Sequence, residues 1–226
     1  MSTRVFFIHT VSGITGMFND LCRELIPRAS LCHISDESLI QRILEAGGLT
    51  PAIWRRTIEH IVAAENAGAD VIQLTCSSIS PCADVAQNLV SIPVLKIDEP
   101  MVREAVEGYE RIGVIATNPG TLKPSTEQVL KIGDETGKII EVESVLCEGA
   151  YPAWLSGDKE KHDAIVREHL LHLADRVDVV CLAQASMSRI VESLGEEEIS
   201  VPILSSPRRA VRRLGNLVAR IEKENA

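Results

Sequence analysis

The chain has 226 residues, 45% hydrophobic and 24% charged, which is the composition of a globular protein with room for a sizeable core. Its formal net charge of −9 disfavours a nucleic-acid or anionic-membrane partner, because such partners need a basic surface. No apolar run has the length of a transmembrane helix, and no cleavage signal follows the first apolar run. We therefore expect a cytoplasmic protein with free cysteines.

The first half of the chain alternates apolar runs with helical patterns. Strands are predicted over residues 4–10, 31–34, 71–74 and 92–97. Helices are predicted over residues 17–25, 36–46 and 51–66, and from Pro81 to near Leu89. Thr50 and Pro51 have the residue types of an N-cap and of the first helical position.

The same pattern restarts in the second half. Residues 111–117 resemble residues 4–10, with Thr117 standing 107 positions after Thr10. Residues 177–184 resemble residues 69–76 at an offset of 108, and residues 201–204 resemble residues 92–95 at an offset of 109. Three matches in the same order, at nearly the same offset, indicate an internal duplication of half-molecule size.

Two α/β halves follow from this duplication, residues 1–97 and 98–206, each with a parallel sheet and right-handed crossovers. A final helix over residues 207–226 is expected to pack against the first half. If the halves are related by pseudo-symmetry, their equivalent strand ends converge on one cleft, which is where we expect the site.

Small polar residues gather where the predicted strand 71–74 ends, and Cys76 is among them. Open α/β sheets place their sites at this edge. A thiol facing the amides of a helix N-terminus is favoured as the reactive thiolate, so Cys76 is the candidate catalytic group. The candidate substrate-binding residues at the strand ends and following turns are His9, Thr10, Ser12, Thr75, Ser77, Ser78, Thr117, Asn118, Thr121, Ala185 and Ser186.

Three of these segments together resemble the aspartate/glutamate/hydantoin racemase superfamily: residues 74–78, 112–121 and 181–187. The resemblance implies two pseudo-symmetric Rossmann-like halves with the active site between them. It also implies an enzyme that needs neither cofactor nor metal. In such enzymes two cysteines, one from each half, lie on opposite faces of a substrate carbon beside a carboxylate or carbonyl. One removes a proton and the other returns one.

The chain departs from this pattern at Gln184, which stands where the second cysteine is expected. An amide donates and accepts hydrogen bonds but does not shuttle protons near neutral pH. Cys181 lies three residues earlier in the strand, so it should point to the opposite face of the sheet. Glu148, beside Cys147, is the candidate second acid/base group.

The leading hypothesis is a racemase-type isomerase acting on a small substrate that carries a carboxylate or carbonyl. Cys76 would be the acid/base thiol, and Gln184 with the hydroxyl and amide donors would stabilise an enolate. One alternative is a lyase of the decarboxylase type, in which Cys76 alone protonates an enolate. A second alternative is a non-catalytic protein that binds small acids. The sequence leaves the oligomeric state open, and a homo-oligomer is one option, since dimers are the commonest assembly.

Overall fold

The computed structural model describes residues 2–187, 190, 194, 199 and 201–224, with the backbone alone described at residue 186. The strands are β1 (Arg4–His9), β2 (Ser30–Ser35), β3 (Val71–Leu74), β4 (Val94–Leu95), β5 (Arg111–Ala116), β6 (Glu141–Leu146), β7 (Val179–Leu182) and β8 (Ile203–Ser205). The helices are α1 (Thr15–Leu25), α2 (Glu37–Ala46), α3 (Pro51–Asn66), α4 (Pro81–Ala86), α5 (Glu99–Gly108), α6 (Pro119–Thr136), α7 (Ala150–Leu155), α8 (Lys159–Ala174) and α9 (Ser206–Glu224). Short 3-10 turns, Ser12–Ile14, Ser77–Ile79 and Ala185–Met187, follow β1, β3 and β7.

The strands form two four-stranded sheets with the orders β2-β1-β3-β4 and β6-β5-β7-β8. Every strand pairing is parallel. The two sheets also share a register, because Ile8 pairs with Leu74 in one and Ile115 pairs with Leu182 in the other. The predicted α/β fold with two parallel sheets is therefore confirmed.

The chain divides into two compact units. The first unit comprises Met1–Asp98 and Pro207–Ala226, and the second comprises Glu99–Ser206. Within the first unit, α9 packs its apolar face, including Leu214, against Phe7 and Phe18. Within the described residues, no helix has both the length and the apolar character required to cross a membrane.

Strands β1 and β5 are buried on both faces after their first residue, as expected for parallel strands covered by helices on both sides. The predicted start of α3 is confirmed, because the hydroxyl of Thr50 accepts a hydrogen bond from the Ile53 N–H and Pro51 is the first helical residue. Because β1 pairs in parallel with β3, and β5 with β7, the loops after the two strands of each pair emerge at the same edge of their sheet.

Two predicted boundaries are wrong. Helix α4 ends at Ala86 and not near Leu89, because the Leu89 N–H bonds to the Ala86 carbonyl at 2.8 Å in a tighter turn. The strand predicted over 92–97 shortens to β4, where the Val94 N–H donates to the side chain of Gln87 at 3.0 Å. Residues 196–198 are three consecutive glutamates, for which the sequence predicts a solvated loop or helix end, and they lie outside the described residues.

Candidate active site

Cys76 lies directly after the end of β3, at the start of the 3-10 turn Ser77–Ile79. Its backbone is extended, with φ −135° and ψ 125°, so the strand direction continues up to the thiol. The Ile79 N–H then donates to the Cys76 carbonyl at 3.1 Å and closes the turn. Cys76 is partly exposed and its thiol is free. The strand end therefore presents the thiol at the carboxyl edge of the first sheet.

Most of the other cysteines have a different environment. Cys22, Cys82 and Cys147 are buried, and burial raises the pKa of each thiol to about 12. Such thiols stay protonated and unreactive near neutral pH. Cys76 is thus the cysteine that combines a strand-end position with solvent access.

A chain of side-chain hydrogen bonds runs behind Cys76. The Thr75 hydroxyl lies 2.9 Å from His9 Nδ1, His9 Nε2 lies 2.8 Å from His33 Nδ1, and His33 Nε2 lies 3.0 Å from Asn19 Oδ1. The two imidazole rings stack at 5.1 Å between centroids, and the ring of Phe7 lies 5.2 Å from that of His33. Burial, together with His33, lowers the pKa of His9 to about 4, so His9 is neutral near neutral pH.

The turn that follows Cys76 rests on a buried carboxyl group. The hydroxyl of Ser80 donates to Asp98 Oδ1 at 3.0 Å, and the side chain of Ser77 also hydrogen-bonds to Asp98. Burial raises the pKa of the Asp98 carboxyl. Ser77 and Ser78 are both buried in this turn. Asp98 therefore helps to fix the backbone on the C-terminal side of the thiol.

The turn after β1 holds Thr10 and Ser12. Thr10 is 1% exposed, and neither its N–H nor its hydroxyl has a hydrogen-bond partner among the described residues. Ser12 differs, because its N–H and hydroxyl donate to Glu37 Oε1 at 3.0 and 2.5 Å. These hydrogen bonds hold the pKa of Glu37 below its usual range. A substrate would have to displace this carboxylate before Ser12 could bind it.

In the second unit, Gln184 lies after the end of β7 and is partly exposed. Its Oε1 accepts two hydrogen bonds from Thr117, from the N–H at 2.6 Å and from the hydroxyl at 2.9 Å. Asn118 caps α6, because its Oδ1 accepts from the Thr121 N–H at 2.9 Å. Ala185 begins the next turn, and the side chain of Ser186 lies outside the described residues.

The candidate second acid/base group, Glu148, lies in an exposed turn after β6, and the neighbouring Cys147 is fully buried. Cys181 packs in the core cluster that contains Val179 and Ala183, while Leu182 belongs to the cluster on the other face of the sheet. Gln184 lies beyond the end of β7, so its place on the face opposite to Cys181 stays a prediction. No group of three or more His, Cys, Asp or Glu side chains in the described part of the chain is arranged to hold a metal ion.

The structure thus brings together Cys76, Thr75 and His9 in the first unit, and Thr117 with Gln184 in the second. The substrate contacts predicted for the candidate residues, and the single cleft, remain predictions. Sequence reasoning missed His33, Asn19 and Asp98. His33 could have been found, because it lies in a predicted strand. In the register of β1 with β2 it is opposite Phe7, two residues before His9 and on the same face of the sheet. Asn19 and Asp98 carry no such signal.

Comparison with known proteins identifies relatives of this fold. A glutamate racemase from Bacillus anthracis superimposes with a TM-score of 0.74 at 21% identity, over 96% of this chain and 82% of that one. A glutamate racemase from Francisella tularensis in complex with D-glutamate gives 0.75 at 20% identity, over 98% and 82%. An allantoin racemase from Klebsiella pneumoniae gives 0.68 at 18% identity, over 96% and 88%. At these identities the likeness establishes the fold.

No curated protein sequence matches the chain. The family model Asp/Glu/Hydantoin racemase matches residues 10–214, which include both strand-end sites described above. The chain therefore belongs to the Asp/Glu/hydantoin racemase family.

Proposed function

We propose that this protein is a racemase-type isomerase in which Cys76 exchanges a proton on a substrate carbon next to a carboxylate or carbonyl. The observation that carries the proposal is the position of Cys76, a partly exposed free thiol at a strand end in a chain of this family. A thiol is suited to this task, because its ordinary pKa lies close to the operating pH.

Removal of a proton from such a carbon leaves negative charge on the adjacent oxygen. The charge must be met by hydrogen-bond donors that are already in place. In the first unit the Thr10 N–H and hydroxyl have no partner among the described residues and are available for this purpose. Thr75 is held by His9 and by the Ile8 carbonyl, so we assign it to positioning the strand end.

The chemistry of a thiol base and the names of the similar racemases support a proposal for the substrate class. Glutamate and allantoin, named for the similar racemases, each carry a carbon–hydrogen bond beside a carbonyl-type group and a nitrogen. We propose a small amino acid or amino-acid derivative as the substrate of this protein, with no cofactor.

A racemase needs a second group to deliver a proton from the opposite face. Gln184 does not provide one, because an amide does not exchange protons at useful rates near neutral pH. His9 is buried, and its lowered pKa leaves it neutral near pH 7, without the added proton that it would have to deliver. Glu148 is an exposed carboxyl group in the second unit and is our candidate for this role.

The test is hydrogen exchange at the α-carbon in deuterium oxide, with each enantiomer of glutamate, aspartate and allantoin as trial substrates. We expect deuterium incorporation with inversion, and a loss of about a hundredfold or more in Cys76→Ser, because the hydroxyl is a much weaker acid than the thiol. Cys32→Ser is the matched control, since Cys32 is also partly exposed but lies within β2. It should retain the wild-type rate.

Other outcomes would reject the isomerase. Release of carbon dioxide from a substituted malonate, with deuterium on one face of the product, would identify a decarboxylase. Stabilisation by ligands without turnover, unchanged in Cys76→Ser, would identify a binding protein. Equal exchange rates in Cys76→Ser and the wild type would remove Cys76 from the mechanism.

A further inference from the structure

The side-chain oxygen of Gln184 accepts two hydrogen bonds from Thr117. Two donors of one residue, the N–H at 2.6 Å and the hydroxyl at 2.9 Å, converge on the same side-chain oxygen of Gln184. Thr117 is 4% exposed and directly follows β5, so its donors lie in a buried position at the strand end. Gln184 follows β7, which pairs with β5 over four residues. The geometry therefore fixes the amide plane from one side.

These contacts settle which end of the amide faces Thr117. A backbone N–H can only donate, so the atom that it meets must be the carbonyl oxygen and not the amide nitrogen. Both acceptor positions of that oxygen are then used. Rotation of the amide by half a turn would place the NH₂ group against the Thr117 N–H and lose that bond, since a backbone N–H cannot accept. The NH₂ group of Gln184 must point away from Thr117.

That NH₂ group has no hydrogen-bond partner within the parts of the chain that the structure describes. Gln184 is partly exposed, so the group faces accessible space at the carboxyl edge of the second sheet. The positive end of the α6 dipole lies at the same edge, since α6 begins at Pro119, two residues after Thr117. Fixed donors beside a helix N-terminus favour an acceptor with negative charge.

The first unit shows what the Thr117 donors would otherwise do. Because Ile8 pairs with Leu74 as Ile115 pairs with Leu182, Thr10 corresponds to Thr117 and Cys76 to Gln184. A cysteine is too short to satisfy such a threonine from the next strand, and Thr10 has no partner among the described residues. The second unit thus has an amide where the first has a thiol, and Thr117 orients the NH₂ group of that amide.

We infer that Gln184 is a substrate-binding residue whose oriented NH₂ group donates to a carboxylate or enolate oxygen, with Thr117 as its positioning residue. The inference rests on the proposed function for the identity of the site, and it narrows the substrate to molecules with an anionic or carbonyl oxygen at this position. A substrate that presents a hydrogen-bond donor there is rejected, because two donors would face each other.

The test uses the side-chain NH₂ resonances of Gln184 in ¹⁵N-labelled protein, which are assigned by their disappearance in Gln184→Glu. Malonate and both enantiomers of aspartate serve as probes, and ethanolamine, which carries no carboxylate, is the control probe. The carboxylates should shift the Gln184 NH₂ signals in a saturable way and ethanolamine should not. Unmoved Gln184 signals with every carboxylate probe would overturn the inference.

Three variants separate binding from structure. Gln184→Glu keeps an oxygen for Thr117 but replaces the NH₂ group by an acceptor, so carboxylate probes should bind about tenfold to a hundredfold more weakly. Thr117→Val removes the hydroxyl donor and should weaken binding by a smaller factor, about threefold to tenfold. Thr117→Ser retains the hydroxyl and should bind the carboxylate probes with wild-type affinity. Wild-type affinity in Gln184→Glu would show that Gln184 is only structural.

The outcome is independent of the assignment of Cys76. Probe binding that depends on Gln184, combined with full α-carbon exchange in Cys76→Ser, would retain the inference and reject the proposed mechanism. Exchange that depends on Cys76, with no response of the Gln184 signals, would retain the mechanism and reject the inference.

Discussion

His9 should make the stability of the protein fall as the pH is lowered from about 7 to about 5. The folded state holds the pKa of this buried imidazole at about 4 against an ordinary value of 6.5. Below about pH 6.5 the unfolded chain therefore binds a proton that the folded chain does not bind. The stability due to neutral His9 is present above that pH and is lost progressively as the pH falls toward 4. The loss between about pH 7 and pH 5 amounts to about 2 kcal/mol.

The assay is urea unfolding followed by circular dichroism at the two pH values. His9→Gln should be less stable than the wild type near pH 7, because it loses the ring contacts with Phe7 and His33. Its stability should nevertheless depend less steeply on pH. His172→Gln, on the exposed side of α8, is the control and should keep the wild-type pH dependence. An equally steep loss of stability in His9→Gln and the wild type would refute the reasoning.

Three further predictions concern stability and reactivity. Gly113→Ala should cost about 1–3 kcal/mol in urea unfolding, because the added methyl group would lie 2.9 Å from Leu173, whereas Gly16→Ala, with open space around it, should cost nothing. Asp36→Ala should lower the unfolding midpoint, and this difference should shrink in acid. Burial alone would raise the pKa of Asp36, but hydrogen bonds from arginine, serine and histidine hold that pKa well below its usual range. Their stabilisation is lost as the pH falls through the pKa of the folded state. Alkylation of the native protein by iodoacetamide, followed by peptide mass spectrometry, should modify Cys76 well before the buried cysteines, and equal rates would contradict the assigned burial. The buried cysteines in this comparison are Cys22, Cys82 and Cys147.

The order of strands and helices could be predicted because the strands that matter are buried on both faces. Runs such as β3, with four buried residues, have no amphipathic interpretation as surface helices. The ends of the strands were less predictable where a side chain takes the hydrogen bond that a neighbouring backbone would otherwise make. Gln87 takes the Val94 N–H, so the apolar run 92–97 does not continue as a paired strand. Apolar character reports burial, and pairing depends on neighbours that the local sequence does not specify.

The candidate site was predictable only as far as the duplication reaches. Equivalent positions in the repeat identified Cys76 and Gln184 as counterparts, and the registers of the two sheets agree with that. The hydrogen bonds between Thr117 and Gln184 join residues 67 positions apart, and the bond between His9 and His33 joins residues 24 positions apart. Such contacts depend on strand register and side-chain rotamer, which no local pattern encodes.

The two strand ends differ at one pair of equivalent positions, with Cys76 in the first unit and Gln184 in the second. Gln184 reaches Thr117 because its side chain is two atoms longer than that of cysteine, and it occupies both Thr117 donors. Gln184→Cys would release those donors and give the second strand end the residues that the first has at Thr10 and Cys76. We expect this variant to lose carboxylate binding through the amide and to exchange the α-proton with inversion faster than the wild type, measured in deuterium oxide. Exchange that stays at the wild-type level would show that a thiol at this strand end is not enough, and that the second proton comes from another group.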